Sequence, residues 1–192
     1  ITVFSNQACF THQGRSYTLI DTPGHIDFAA EAECVLPALD MAVLVIDGSS
    51  ELDAHTEALY RLLAEDYRLP VIIFLNKTDL VGFDKERILS QIRRRLTERI
   101  VPVADSGPDP EQLAVLDDEF LESYLEGSAT AASAREVLKK LTGKAVPVLK
   151  GAALSGAGID QLLDLLSLTA EGLDDQQTGF DAAAAFRARV YQ

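Results

Sequence analysis

The sequence predicts an α/β fold, a mostly parallel sheet with helices on both faces and a short helical insert. Two runs point to it, Met41-Ala-Val-Leu-Val-Ile46 and Val71-Ile-Ile-Phe-Leu75. Each is too apolar to alternate and too short to stand as a helix, as strands buried on both faces are. Between them Ala54, Ala58, Leu62 and Leu63 recur at helical spacing, and Pro70 marks the approach to the next strand. The unit then repeats: Ile88, Leu89, Ile92 and Leu96 form one stripe of a helix over residues 84–99.

The other elements follow in chain order. Residues 2–10 and 15–21 read as two strands of a hairpin around His12-Gln13-Gly14. After the helices over 53–67 and 84–99, an insert at about 105–143 carries two further helical stretches, 111–126 and 133–141. The first sets Leu113, Leu116, Phe120 and Tyr124 on one side. A last strand is expected near 145–150 and a closing helix over 159–168, which completes one domain over residues 1–170. The chain then turns polar and acidic, the composition of a linker over 171–180. In 181–192, Phe186-Arg-Ala-Arg-Val-Tyr191 alternates like the opening strand of a following β-barrel domain.

Composition narrows the function classes. With 192 residues, 47% hydrophobic and 24% charged, the chain has the balance of a globular domain with a real core. No run approaches the roughly 18 consecutive apolar residues of a spanning helix, so the expectation is a soluble, cytoplasmic protein with no membrane partner. Cys9 and Cys34 are too few and too far apart for a disulfide framework or a paired-ligand zinc site. A net charge of −13 argues against binding nucleic acid through overall electrostatics. The cluster Arg93-Arg94-Arg95 with Arg99 flanks an apolar stripe and reads as a solvated helix face. His12 and His55 have no partner spacing for a metal.

Two segments carry chemistry. Asp21-Thr22-Pro23-Gly24-His25 leaves the end of a strand, where open α/β sheets place ligands. A carboxylate there can hold Mg²⁺ through water, and a glycine lets its N–H approach a phosphate; the same pattern is also a common turn. Asn76-Lys77-Thr78-Asp79 leaves the second apolar strand. The Asp79 carboxylate can accept from the ring N–H and the exocyclic amine of guanine, a pair of donors that adenine does not offer. Alone, this segment would more often be a polar strand-exit turn.

Both segments in this order resemble the signature of the GTPase superfamily, and the histidine of Asp-Thr-Pro-Gly-His resembles that of translational GTPases. The resemblance implies a three-layer P-loop-GTPase-like fold, GTP or GDP with Mg²⁺ as cofactor, and the ribosome as partner. It implies that His25 orients the attacking water, and that Asp21, Gly24, Asn76, Lys77 and Asp79 bind nucleotide. Ile1-Thr2-Val3 resembles the end of the first switch, so Thr2 and, through water, Asp21 would serve Mg²⁺. Gly151-Ala152-Ala153-Leu154 stands where the family has Ser-Ala-x. Ala152, Ala153 and Leu154 would then line the base, with the Ala153 N–H as donor to the guanine oxygen and Ala152 in place of the serine. The run Phe74-Leu75-Asn76-Lys77-Thr78-Asp79, continued by Gly82-Phe83-Asp84, and the insert around 118–127 are most similar to tetracycline-resistance ribosomal protection proteins. Elongation factor G is the alternative.

The family's phosphate loop, Gly-x-x-x-x-Gly-Lys-Ser/Thr, does not occur: Ala145 follows the single Gly143-Lys144 pair and Leu138 occupies the first glycine position. In the family that loop and the strand before it precede the first switch. The expectation is therefore a partial domain lacking its first strand, which either self-associates through the exposed sheet edges or closes the gap by rearranging, and which does not hydrolyse GTP by itself. A non-catalytic interaction module is the reading from a different class.

Overall fold

The computed structural model describes residues 6–22 and 35–177. Strands β1 (Asn6–His12) and β2 (Arg15–Asp21) form the expected antiparallel hairpin. Its two-residue turn places Gln13 at φ 49° and Gly14 at φ 77°, the doubly left-handed geometry that matches the twist of the flanking strands.

A separate five-stranded sheet holds the rest. It comprises β3 (Ala42–Asp47), β4 (Val71–Asn76), β5 (Ile100–Ala104), β6 (Gly107–Pro108) and β7 (Val146–Lys150), in the order β3-β4-β7-β5-β6. All pairings are parallel except the short β5–β6 bridge. β3 pairs with β4 on one side, and among the described residues its other side carries no strand; Val45, on a face of this outer strand, is 59% exposed.

The apolar run of β4 serves both faces because side chains alternate along a strand. Ile73 and Leu75 pack with Leu44, Ile46 and Val148 under α1 (Ala54–Arg61) and α2 (Lys85–Arg95), through Tyr60, Ile88 and Ile92. Ile72 and Phe74 pack on the other face with Val101 and Leu149. That face is covered by α3 (Pro110–Leu116), α4 (Asp118–Leu125), α5 (Ala131–Lys140) and α6 (Ile159–Gln177), which contribute Leu113, Phe120, Leu138 and Leu165. The three layers are those expected. No helix among the described residues is long and apolar enough to cross a membrane.

Four details differ from the sequence reading. The strand β5 was not expected; Pro102 interrupts an already short apolar run and demotes it. The stretch 111–126 is two helices. Asp117 is extended (φ −139°, ψ 112°) and its carboxylate accepts from Phe120 N at 2.9 Å, so it ends α3 and caps α4. The helix over 53–67 is α-helical only to Arg61 and closes in a π turn, with Tyr67 N donating to Leu62 O at 3.0 Å. The closing helix does not stop at 168: residues 171–177, read as the start of a linker, continue α6. Two contacts hold this polar segment in place. Gly172 is seated so closely that a Cβ would lie 2.3 Å from Thr142 Oγ1, and Asp174 accepts from Arg15 at 2.6 Å.

The hairpin is pinned to α6 along one side. His12 Nε2 lies 3.0 Å from Asp164 Oδ1, Gln13 donates to the same oxygen at 2.8 Å, and the Tyr17 and Ser167 hydroxyls are 2.9 Å apart. His12, given no role from its spacing, thus has a structural one. Arg93 donates to Gln112, and Arg95 pairs with Glu57 and donates to the Leu52 carbonyl, so this part of the arginine cluster is engaged within the fold.

Candidate functional site

The ladder registers bring three strand ends together. Asp47 of β3 is opposite Asn76 of β4, and Leu75 is opposite Lys150 of β7, so Gly151 leaves β7 beside Asn76. Three loops therefore open at one end of the sheet, 47–50, 76–83 and 151–158, where parallel sheets hold their ligands.

Hydrogen bonds sew these loops to one another. Gly151 N donates to Leu75 O at 2.8 Å, and both Thr78 N (3.1 Å) and Thr78 Oγ1 (3.0 Å) donate to Gly151 O. Asn76 Oδ1 accepts from Lys77 N at 2.8 Å and from Ala153 N at 2.9 Å. On the opposite side, Gly48 N donates to Asn76 O at 2.9 Å and Lys77 Nζ reaches Asp47 Oδ2 at 2.7 Å. Lys77 is held at φ 61°, a left-handed conformation uncommon for a lysine. Asp79 is exposed, and among the described residues no hydrogen bond or ion pair engages its carboxylate. The loop thus uses Asn76, Lys77 and Thr78 for its own architecture and leaves one acceptor pair to the outside.

Asp47 is the residue that sequence reasoning missed. Its Oδ1 accepts from Ser49 N (2.9 Å) and Ser49 Oγ (2.6 Å) while Oδ2 meets Lys77. The signal was present: Asp47-Gly48-Ser49-Ser50 leaves a buried parallel strand at the same sheet end as the loops after β4 and β7. The bond from Lys77, followed by that from Ser49, holds this carboxyl down at about 2 from its ordinary 3.8. A depressed folded pKa means that the pairing contributes fully above the ordinary value and is lost as pH falls from about 4 toward 2. The carboxyl carbon of Asp47 is therefore expected to titrate by NMR with a midpoint near 2; a midpoint near 4 would show the pair absent in solution.

The remaining site residues are placed unevenly. Asn76, Lys77, Asp79, Ala152, Ala153 and Leu154 come together as described, with Ala152 buried and Leu154 99% exposed. The Ala153 N–H, the donor expected toward the guanine oxygen, already donates to Asn76. Asp21 closes β2, on the hairpin rather than on the sheet that carries these loops. Thr2, Gly24 and His25, with Ile1 and Cys34, lie outside the described residues. Among the described residues no group of three acidic, histidine or cysteine side chains could hold a metal ion.

The sequence profile described as "Elongation factor Tu GTP binding domain" matches residues 1–171. The chain is 37% identical over 183 residues to the tetracycline resistance protein TetM of Streptomyces lividans, covering 85% of this chain and 28% of that protein. It is 32% identical over 213 residues to elongation factor G of Thermotoga maritima, covering 85% and 31%. A crystal structure from Thermus thermophilus superposes with a TM-score of 0.71 at 22% identity, covering 88% of this chain and 32% of that one, which shows a shared fold. The chain thus spans less than a third of the length of the relatives it matches.

Proposed function

Because the chain belongs to the family of elongation factor Tu GTP-binding domains, we propose that it is the guanine-recognising part of a ribosome-dependent GTPase of the ribosomal protection type. One observation carries the reading: the loop 76–79 is braced on both sides, yet leaves the Asp79 carboxylate exposed and, among the described residues, unpaired. A rigid pair of acceptors is what the two N–H donors of guanine require, and rigidity in the free state spares ordering cost on binding. Ala153 N–H would then be shared between Asn76 and the guanine carbonyl as a three-centre bond.

The chain contains no Gly-x-x-x-x-Gly-Lys-Ser/Thr loop, so base contacts must supply the affinity that phosphate contacts usually provide. Calorimetric titration with GDP and with ADP is expected to show weak binding of GDP alone. Equal binding of both, or binding of neither, would leave an interaction module without a guanine site. Asp21 is the single described member of the set proposed for Mg²⁺, and no step is derived through the metal. In the longer polypeptide His25 would orient water. Phosphate release on ribosomes, with and without His25→Ala, tests this, and equal rates would remove the role.

The resistance-protein relative favours tetracycline release in the cytoplasm as the purpose of hydrolysis, and the elongation factor relative favours a role as a translation factor. Translation assays with the longer polypeptide, with and without tetracycline, separate them. The side of β3 that no described strand covers, on a strand whose face exposes Val45, also supports association of this chain with a second copy through that edge. Light scattering is expected to report species larger than a monomer; a strict monomer at all concentrations removes the proposal.

A further inference from the structure

We propose that Asp47 is a positioning residue of the guanine site, an anchor on the neighbouring strand that fixes Lys77 and thereby the aim of the loop ending in Asp79. The inference rests on the guanine reading above and adds a residue to it.

The geometry argues for an anchor rather than a chance surface pair. An ordinary exposed ion pair joins two mobile side chains and does little. Here one partner is already fixed: Ser49 N and Ser49 Oγ both hold Oδ1, so Oδ2 is presented in a set direction before Lys77 arrives. The backbones of the two partners are fixed as well. Asp47 and Asn76 are register partners at the ends of adjacent strands, and Gly48 N donates to Asn76 O.

The lysine needs such an anchor. Its left-handed backbone is one that a non-glycine residue rarely adopts without outside restraint. Thr78 restrains the loop from the β7 side through Gly151 O, and Leu80 N closes a turn onto Lys77 O at 3.2 Å. Without Asp47, nothing described holds Lys77 Nζ from the β3 side. The pair also settles charge. Lys77 is compensated within the protein, so Asp79 is not drawn into pairing with the lysine two residues before it and stays available to a ligand with two donors. Along the Lys77 stem, four methylene groups are then held in one direction and can form an apolar wall beside a planar base.

The test is a double-mutant cycle on the whole chain, with GDP as probe, comparing Asp47→Asn, Lys77→Met and the double variant. Loss of one charge-assisted hydrogen bond is expected to weaken GDP about tenfold in Asp47→Asn. Asp47→Glu should recover part of the loss, and Asp47→Asn should add little in the Lys77→Met background. Unchanged or tighter GDP binding by Asp47→Asn would overturn the proposal, as would an equal loss when Lys77 is already gone. A second measurement keeps the two readings apart. Amide hydrogen exchange of residues 77–80 without nucleotide should speed up in Asp47→Asn by more than that of the buried strands β3 and β4. If GDP fails to bind the unaltered chain, the guanine reading fails, and exchange alone decides: unchanged protection overturns the role of Asp47.

Discussion

Gly151→Ala is expected to lower the melting temperature by about 6–12 °C, from an overpacking cost near 3 kcal/mol and a shift of about 2–4 °C per kcal/mol in a chain of this size. A Cβ at this position would lie 2.3 Å from Ala157 O and 2.5 Å from Phe74 Cζ. Neither neighbour yields easily. Phe74 is among the largest fully buried side chains, and Ala157 O is tied to Ala152 N at 3.0 Å. The backbone of Gly151 is fixed on both sides as well, by Leu75 O and by the two donors of Thr78. The methyl group must therefore push the 151–158 loop away from β4, and with it the amide of Ala153 that braces Asn76. Gly156→Ala is the control: its φ of 80° imposes strain, but nothing lies within 4 Å of the added carbon, so the expected cost is about 1 kcal/mol. Thermal melts followed by circular dichroism check the pair. Equal shifts for the two variants would show that the clash relaxes for little and that the loop is softer than described.

The legible parts of this molecule were those in which one local rule dominates. The apolar runs of β3 and β4 announced a sheet covered on both faces, because a strand must fill two cores at once, and Ile72 to Leu75 do so. The apolar stripes placed both following helices, and in the structure Asp53 and Asp84 cap their starts. What failed to read were the elements set by partners distant in sequence. β5 contains a proline and becomes a strand only because β7 lies beside it. The polar segment 171–177 stays helical because Thr142 and Arg15, far earlier in the chain, fit against it.

The site divides along the same line. Asn76, Lys77 and Asp79 could be proposed from the sequence because they follow one another after a buried strand. Asp47 was overlooked because its partner is thirty residues away and becomes adjacent only through strand register. The assignment of the Ala153 N–H to the ligand ran into competition that no sequence displays, an acceptor on Asn76 already within reach.

Asp79→Asn is expected to weaken GDP by about 5- to 150-fold, the range given by roughly 1–3 kcal/mol for a donor left facing a donor. The carboxylate offers two acceptors, and guanine presents two donors, its ring N–H and its exocyclic amine. An amide keeps one acceptor and turns the other into a donor. Xanthine differs from guanine in the complementary way, with a carbonyl where guanine has the amine, so Asp79→Asn should gain affinity for XDP as it loses affinity for GDP. The unaltered chain should reject XDP, since a carboxylate oxygen would face a carbonyl oxygen. Stability should hardly move, because Asp79 is exposed and engages no protein group among the described residues, the setting in which substitutions stay within about 0.5 kcal/mol. Calorimetry on the four combinations of chain and nucleotide measures the exchange directly. An amide variant that keeps its GDP affinity, or that loses GDP without gaining XDP, would place base recognition somewhere other than this carboxylate.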